Sequence, residues 1–157
     1  MKRRADKVMH KCLVIGYGNT LRRDDGVGVE VAQAIEEMNL PCVSVITRHQ
    51  LVPELAAPIS EADAVIFVDA QAGADGKAAL HPIEPAQSSQ LMAHAADPPS
   101  LLALAKQAFG GSPKAWTLAV PVNDFDFGFG LSRHTEKNLR GAVKMIRQFL
   151  TDLAKIA

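Results

Sequence analysis

The chain has no excess of charge of either sign. Its 17 Lys and Arg balance 17 Asp and Glu, for a formal net charge of +0 at pH 7. No global field draws in nucleic acid or an anionic membrane, so neither is an expected partner. Cysteine is scarce: Cys12 and Cys42 stand in apolar surroundings and form no C-x-x-C ligand pair, which suits a reduced, cytosolic compartment. Apolar runs are too short to cross a bilayer, and the charged residues 1–10 precede no signal-peptide core, so they read as a short leader. At 157 residues the chain can bury one substantial core, and residues 11–157 are expected to form a single α/β domain and a monomer.

Against these absences stands residues 12–29, where an apolar strand runs into Gly16 and Gly18 and then into the acidic pair Asp24 and Asp25. Val27, Val31, Ala34, Ile35 and Met38 recur every three or four residues, the stripe of a helix lying on a sheet, with Asp24 as its expected N-cap. Residues 43–47 are a β-branched strand leading to His49 and Gln50. Pro53 suits the start of a short helix with Leu55, Ala56 and Ile59 inward. Residues 64–70 are apolar without alternation until Asp69, as in a strand buried on both faces of a parallel sheet. Residues 77–83 form a weaker, edge-like strand closed by prolines.

Asp97 and the prolines after it open a helix to about Phe109, which Gly110 and Gly111 stop. A strand over 115–122 follows. Phe125, Phe127 and Phe129 then lie among acids and glycines, as a docking surface or as rings folded over the core. The last helix starts at Ser132 or Thr135 and ends near Ala154. Strands alternating with helices predict an α/β three-layer sandwich, with a mainly parallel twisted sheet of about five strands between helices. Such sheets bind ligands outside the carboxyl ends of their strands.

Asp25, Asp69 and His94 all belong to connections that can share that rim. Two carboxylates and an imidazole are oxygen and nitrogen donors suited to nickel or zinc, with positions left for water or substrate. By spacing alone the set is weak: an aspartate at a strand end more often caps a helix or ties a loop, and His49 could serve as well as His94.

Residues 16–28 (GYGNTLRRDDGVG) resemble the signature of the hydrogenase maturation endopeptidases, a glycine-x-glycine-asparagine segment leading to an acidic pair and a further glycine: Gly16, Gly18, Asn19, Asp24, Asp25, Gly26 and Gly28. The strand ending at Asp69 and the histidine before a leucine-rich helix follow in family order, so the resemblance covers most of residues 12–150. It implies an endopeptidase, of the kind termed aspartyl, that removes the C-terminal extension of a nickel-iron hydrogenase large-subunit precursor once nickel is inserted. It assigns Asp25, Asp69 and His94 to contact with nickel. The metal is then carried by the substrate, and no tightly bound metal of the protein's own is expected. The family often has glutamate where Asp25 stands, so the cation would sit closer here. His49 and Gln50, in the run HQLVPEL, resemble the branch serving cytoplasmic, cofactor-reducing hydrogenases; otherwise the two side chains simply tie the rim loops. On this resemblance Gly18 permits close approach of a partner's segment, and Gly28 is a packing contact between helix and sheet.

Two other classes compete. A mononucleotide-binding module would use the same glycine turn, but the third glycine of the dinucleotide pattern and a Gly-Lys-Ser/Thr are missing, and the acids occupy the phosphate's place. A small-amide hydrolase with its own permanently bound metal is the other. A serine or cysteine nucleophile lacks its motif.

Overall fold

Alternation along the strands sorts the apolar residues onto two faces, and the fold follows from covering both. The computed structural model describes residues 10–73, 76–87 and 97–155. Five strands make one sheet: β1 (Cys12–Tyr17), β2 (Val43–Arg48), β3 (Ala64–Ala72), β4 (Ala79–Ile83) and β5 (Lys114–Val122). Their order is β2-β1-β3-β5-β4, parallel except for β4, which runs antiparallel to β5 at the edge. The helices are α1 (Val27–Glu37), α2 (Ala56–Glu61), α3 (Pro98–Phe109) and α4 (Arg133–Ala154). The three-layer α/β sandwich expected from the sequence is thus the architecture observed.

On one face, Val14, Ile66, Val68, Leu118 and Val120 meet Val27, Val31 and Ile35 of α1 and Ala142 and Ile146 of α4. On the other, Leu13, Ile15, Val65 and Phe67 meet Ile59 of α2 and Leu101, Leu102 and Ala105 of α3. Covering both faces explains why β1 and the start of β3 read as unbroken apolar runs. None of the described helices is long and apolar enough to cross a membrane.

Local signals set most boundaries. The Asp97 side chain accepts the Ser100 N–H at 2.8 Å to open α3. Gly110, at φ 78°, closes it with its N–H on the Lys106 carbonyl. β3 runs two residues past the predicted end because its pairing with β5 continues to Ala72 and Val122, so Asp69 lies inside the strand's last stretch. β4 begins at Ala79, later than predicted.

The expected cap of α1 is corrected. A 3-10 turn, Arg23–Gly26, leads into the helix, and Gly26 takes the cap position with no side-chain cap bond. Asp24 is held within that turn, not in the extended conformation from which a side chain caps the helix that follows it.

Chain direction reverses at β1. The α1 crossover carries the chain to β2 on one side, while β3 pairs on the other. The carboxyl ends of β1 and β3 therefore border the crevice where such sheets receive ligands.

Candidate functional site

The turn leaving β1 is organised around Asp25. Gly18 has φ +145°, a conformation that disfavours side chains, and a Cβ there would run into the Asp25 carbonyl oxygen. Its glycine is therefore needed by the loop itself. The Asn19 side chain accepts the Leu21 N–H at 2.9 Å, while the Asn19 N–H donates to the Asp25 carboxylate at 2.8 Å. Asp25 so takes a backbone donor that a bound phosphate would use, which argues against a nucleotide cradle.

Packing fixes the adjoining helix. A Cβ on Gly28 would meet the carbonyl oxygens of Val68 and Tyr17, and one on Gly16 would meet the Gly28 carbonyl. Gly28 thus lets α1 touch the sheet, as expected for it, at the level of the two strand ends that carry the site.

Asp69 sits beside this turn. Strands β1 and β3 pair Gly16 with Val68, so Tyr17 and Asp69 come next in register. Burial raises the Asp69 carboxyl above its ordinary value, and the Asp25 charge pushes in the same direction; interactions with the Tyr17 hydroxyl and the Ala70 N–H partly offset them. Burial and the Asp69 charge together push the Tyr17 phenol up, with Asp97 adding to the effect. Tyr17 escaped the sequence reading. The available signal was its place at the carboxyl end of β1, between the two glycines, as the chain's one tyrosine.

Asp24 faces away from that pair and is 0% exposed. Its carboxylate accepts the Ser132 N–H and Ser132 hydroxyl, both at 2.8 Å, and the N–H groups of Asp124 at 3.1 Å and Asn123 at 3.4 Å. It thereby ties the loop after β5, and the N-cap residue of α4, to the turn bearing Asp25. Burial alone would raise its carboxyl, but hydrogen bonds from Ser132, Thr135 and Asn123 outweigh this and hold it below the ordinary range.

His94 lies outside the described residues. Among the described residues, no group of three or more His, Cys, Asp or Glu side chains is placed to hold a metal ion. Asp25, on the turn after β1, and Asp69, near the end of β3, lie on the same rim of the sheet. His49 and Gln50 are exposed at the end of β2, where His49, Gly18, Thr20 and Arg48 line a shallow cavity of about 270 Å³. The three phenylalanines divide: Phe125 packs against the core, whereas Phe127 and Phe129 stand in solvent.

No protein-family model matches the chain, and no curated protein matches its sequence. Solved structures do match. The hydrogenase maturation protease HybD from Thermococcus kodakarensis superposes with a TM-score of 0.70 at 16% identity, over 89% of this chain and 99% of that one. The maturating endopeptidase HybD from E. coli gives 0.66 at 20% identity, over 90% and 93% of the two chains. HycI, a maturation protease from Thermococcus kodakarensis, gives 0.68 at 20% identity over the same shares, 90% and 93%. In fold, then, the chain is built as the hydrogenase maturation proteases are.

Proposed function

We propose that the protein is an endopeptidase that removes the C-terminal extension of a nickel-iron hydrogenase large-subunit precursor after nickel insertion, in the cytoplasm. The observation that carries this reading is the fold, shared with maturation proteases along nearly their full length, which sets Asp25 on the turn after β1 and Asp69 near the end of β3 on one rim of the sheet. Nickel held by the precursor is part of the substrate. Asp25, Asp69 and His94 present oxygen and nitrogen donors to it, so that cleavage waits for the metal.

The reaction is hydrolysis of one peptide bond. Water attacks the scissile carbonyl, its proton passes to a carboxylate, and the same proton then leaves with the departing amine. Asp69 is the carboxylate suited to this transfer, because its half-buried position beside Asp25 makes it more basic than a solvated aspartate.

Incubating the protein with nickel-loaded and nickel-free precursor, and weighing the products by mass spectrometry, tests the reading. Tail loss only from the loaded form is expected. Failure to cleave any nickel-loaded precursor across cognate candidates overturns it. Metal analysis of the purified protein separates the competing small-amide hydrolase: zinc or nickel retained in stoichiometric amount through dialysis would favour that reading.

A further inference from the structure

The loop after β5 exposes two aromatic rings that the reaction chemistry does not use. Phe127 is 85% exposed and Phe129 81%, and Leu21, on the turn that carries Asp25, is 52% exposed. Water-facing phenylalanines are costly to hydrate, and Phe125 in the same loop does fold back against the core. The chain holds the other two outward by its backbone. Gly128 and Gly130 adopt φ +148° and +87°, which turns the loop sharply on either side of Phe129.

The two loops are stitched together. The Arg23 N–H donates to the Gly128 carbonyl at 3.1 Å, and the Gly128 N–H donates to the Leu21 carbonyl at 2.9 Å. Arg22 donates from Nε to the Phe125 carbonyl at 3.2 Å while its guanidinium lies 5.9 Å from the Phe127 ring centre. Behind them the Asp24 carboxylate grips Asn123, Asp124 and Ser132. The backbone that carries the rings is therefore fixed relative to the turn that presents Asp25.

We propose that Leu21, Phe127 and Phe129 form the docking surface for an apolar patch on the folded precursor, seating it so that its C-terminal segment reaches Asp25 and Asp69. This rests on the proposed reaction. Size supports the choice of occupant. With an aromatic side chain covering about 150–250 Å², the three residues offer on the order of 400 Å². That is about half of the roughly 800 Å² per partner in a stable protein interface. A second copy of the chain would be held too weakly by this patch alone. A substrate that also engages Asp25, carried on the same turn as Leu21, needs no more.

The experiment compares the unaltered protein, the Phe127→Ser/Phe129→Ser double variant and the Phe127→Leu/Phe129→Leu double variant on nickel-loaded precursor. The serine variant should keep its melting temperature and a kcat within about twofold, while KM rises about tenfold or more; the leucine variant should recover most of the loss. An unchanged KM, a loss confined to kcat, or a marked fall in melting temperature each overturns the docking role. So does a dimer of the unaltered protein that the serine variant splits, because a second copy would then cover the patch. No cleavage by the unaltered protein counts against the proposed reaction instead, a result distinct from normal cleavage with indifferent rings.

Discussion

Asp24 and Asp25 are adjacent in sequence and opposite in surroundings, and their substitutions should separate accordingly. Asp24 is enclosed by donors, so Asp24→Asn leaves some of them facing an amide NH2 and should lower stability at pH 7 by about 1–3 kcal/mol. Its carboxyl is held below the ordinary 3.8. A lowered carboxyl stabilises the fold fully above the unfolded value and loses that contribution as pH falls through the folded one. The melting difference between Asp24→Asn and the unaltered protein should therefore be full at pH 6–7 and close below about pH 4. A gap that persists unchanged at pH 3 would show that the charge is not what the loop uses. Asp69 has the opposite sign. Its raised carboxyl means that the ionised form opposes folding near neutral pH, an effect that vanishes as pH falls. Asp69→Asn should thus abolish cleavage without lowering the melting temperature. A large drop in melting temperature would mark Asp69 as structural, and retained cleavage would remove it from the reaction.

At the scale of elements, the sequence was readable wherever the signal is local. Unbroken apolar runs placed β1 and β3, apolar periodicity placed α4, and Asp97, the prolines after it and Gly110 marked both ends of α3 from residues within one turn of them. Asp24 was misread as the cap of α1 because its partners lie far along the chain, Ser132 being 108 residues on, and no local pattern reports them. Tyr17 was missed for a related reason: its meeting with Asp69 depends on strand register, which pairs residues from two distant segments. Gly28 was read as a packing contact, and the structure supplies the surfaces it packs against. Gly28→Ala would push a methyl into the carbonyls of Val68 and Tyr17, lifting α1 off the sheet at the site's own level. It should destabilise by about 1–3 kcal/mol or more, as overpacking does. Cleavage should fall even at temperatures where the variant stays folded, since that contact holds α1 against the ends of β1 and β3 next to Asp25 and Asp69. Gly141→Ala, with nothing near its Cβ on α4, is the control and should be neutral or slightly stabilising. Equal behaviour of the two variants would refute the close-packing role.

For the whole molecule, the balance of 17 basic and 17 acidic side chains makes a prediction about how it meets its substrate. Long-range steering needs an unbalanced field, and its signature is an association rate that falls steeply as salt shortens the Debye length from about 30 Å at 0.01 M to about 10 Å at 0.1 M. This chain has no such field to screen. The surface proposed for docking is apolar; the Arg22 guanidinium lies over its Phe127 ring, and that of Arg23 is 3.8 Å from the Asp124 carboxylate. Apolar burial is also strengthened, not weakened, by excluded salts such as sulfate. Cleavage of nickel-loaded precursor should accordingly keep its kcat/KM within about threefold between 0.05 and 0.5 M sodium chloride. Moderate ammonium sulfate should lower KM for the unaltered protein, and much less so for Phe127→Ser/Phe129→Ser, which lacks the surface on which that salt acts. A loss of tenfold or more over the chloride range would show that local charges around the rim, not the aromatic loop, bring the two proteins together.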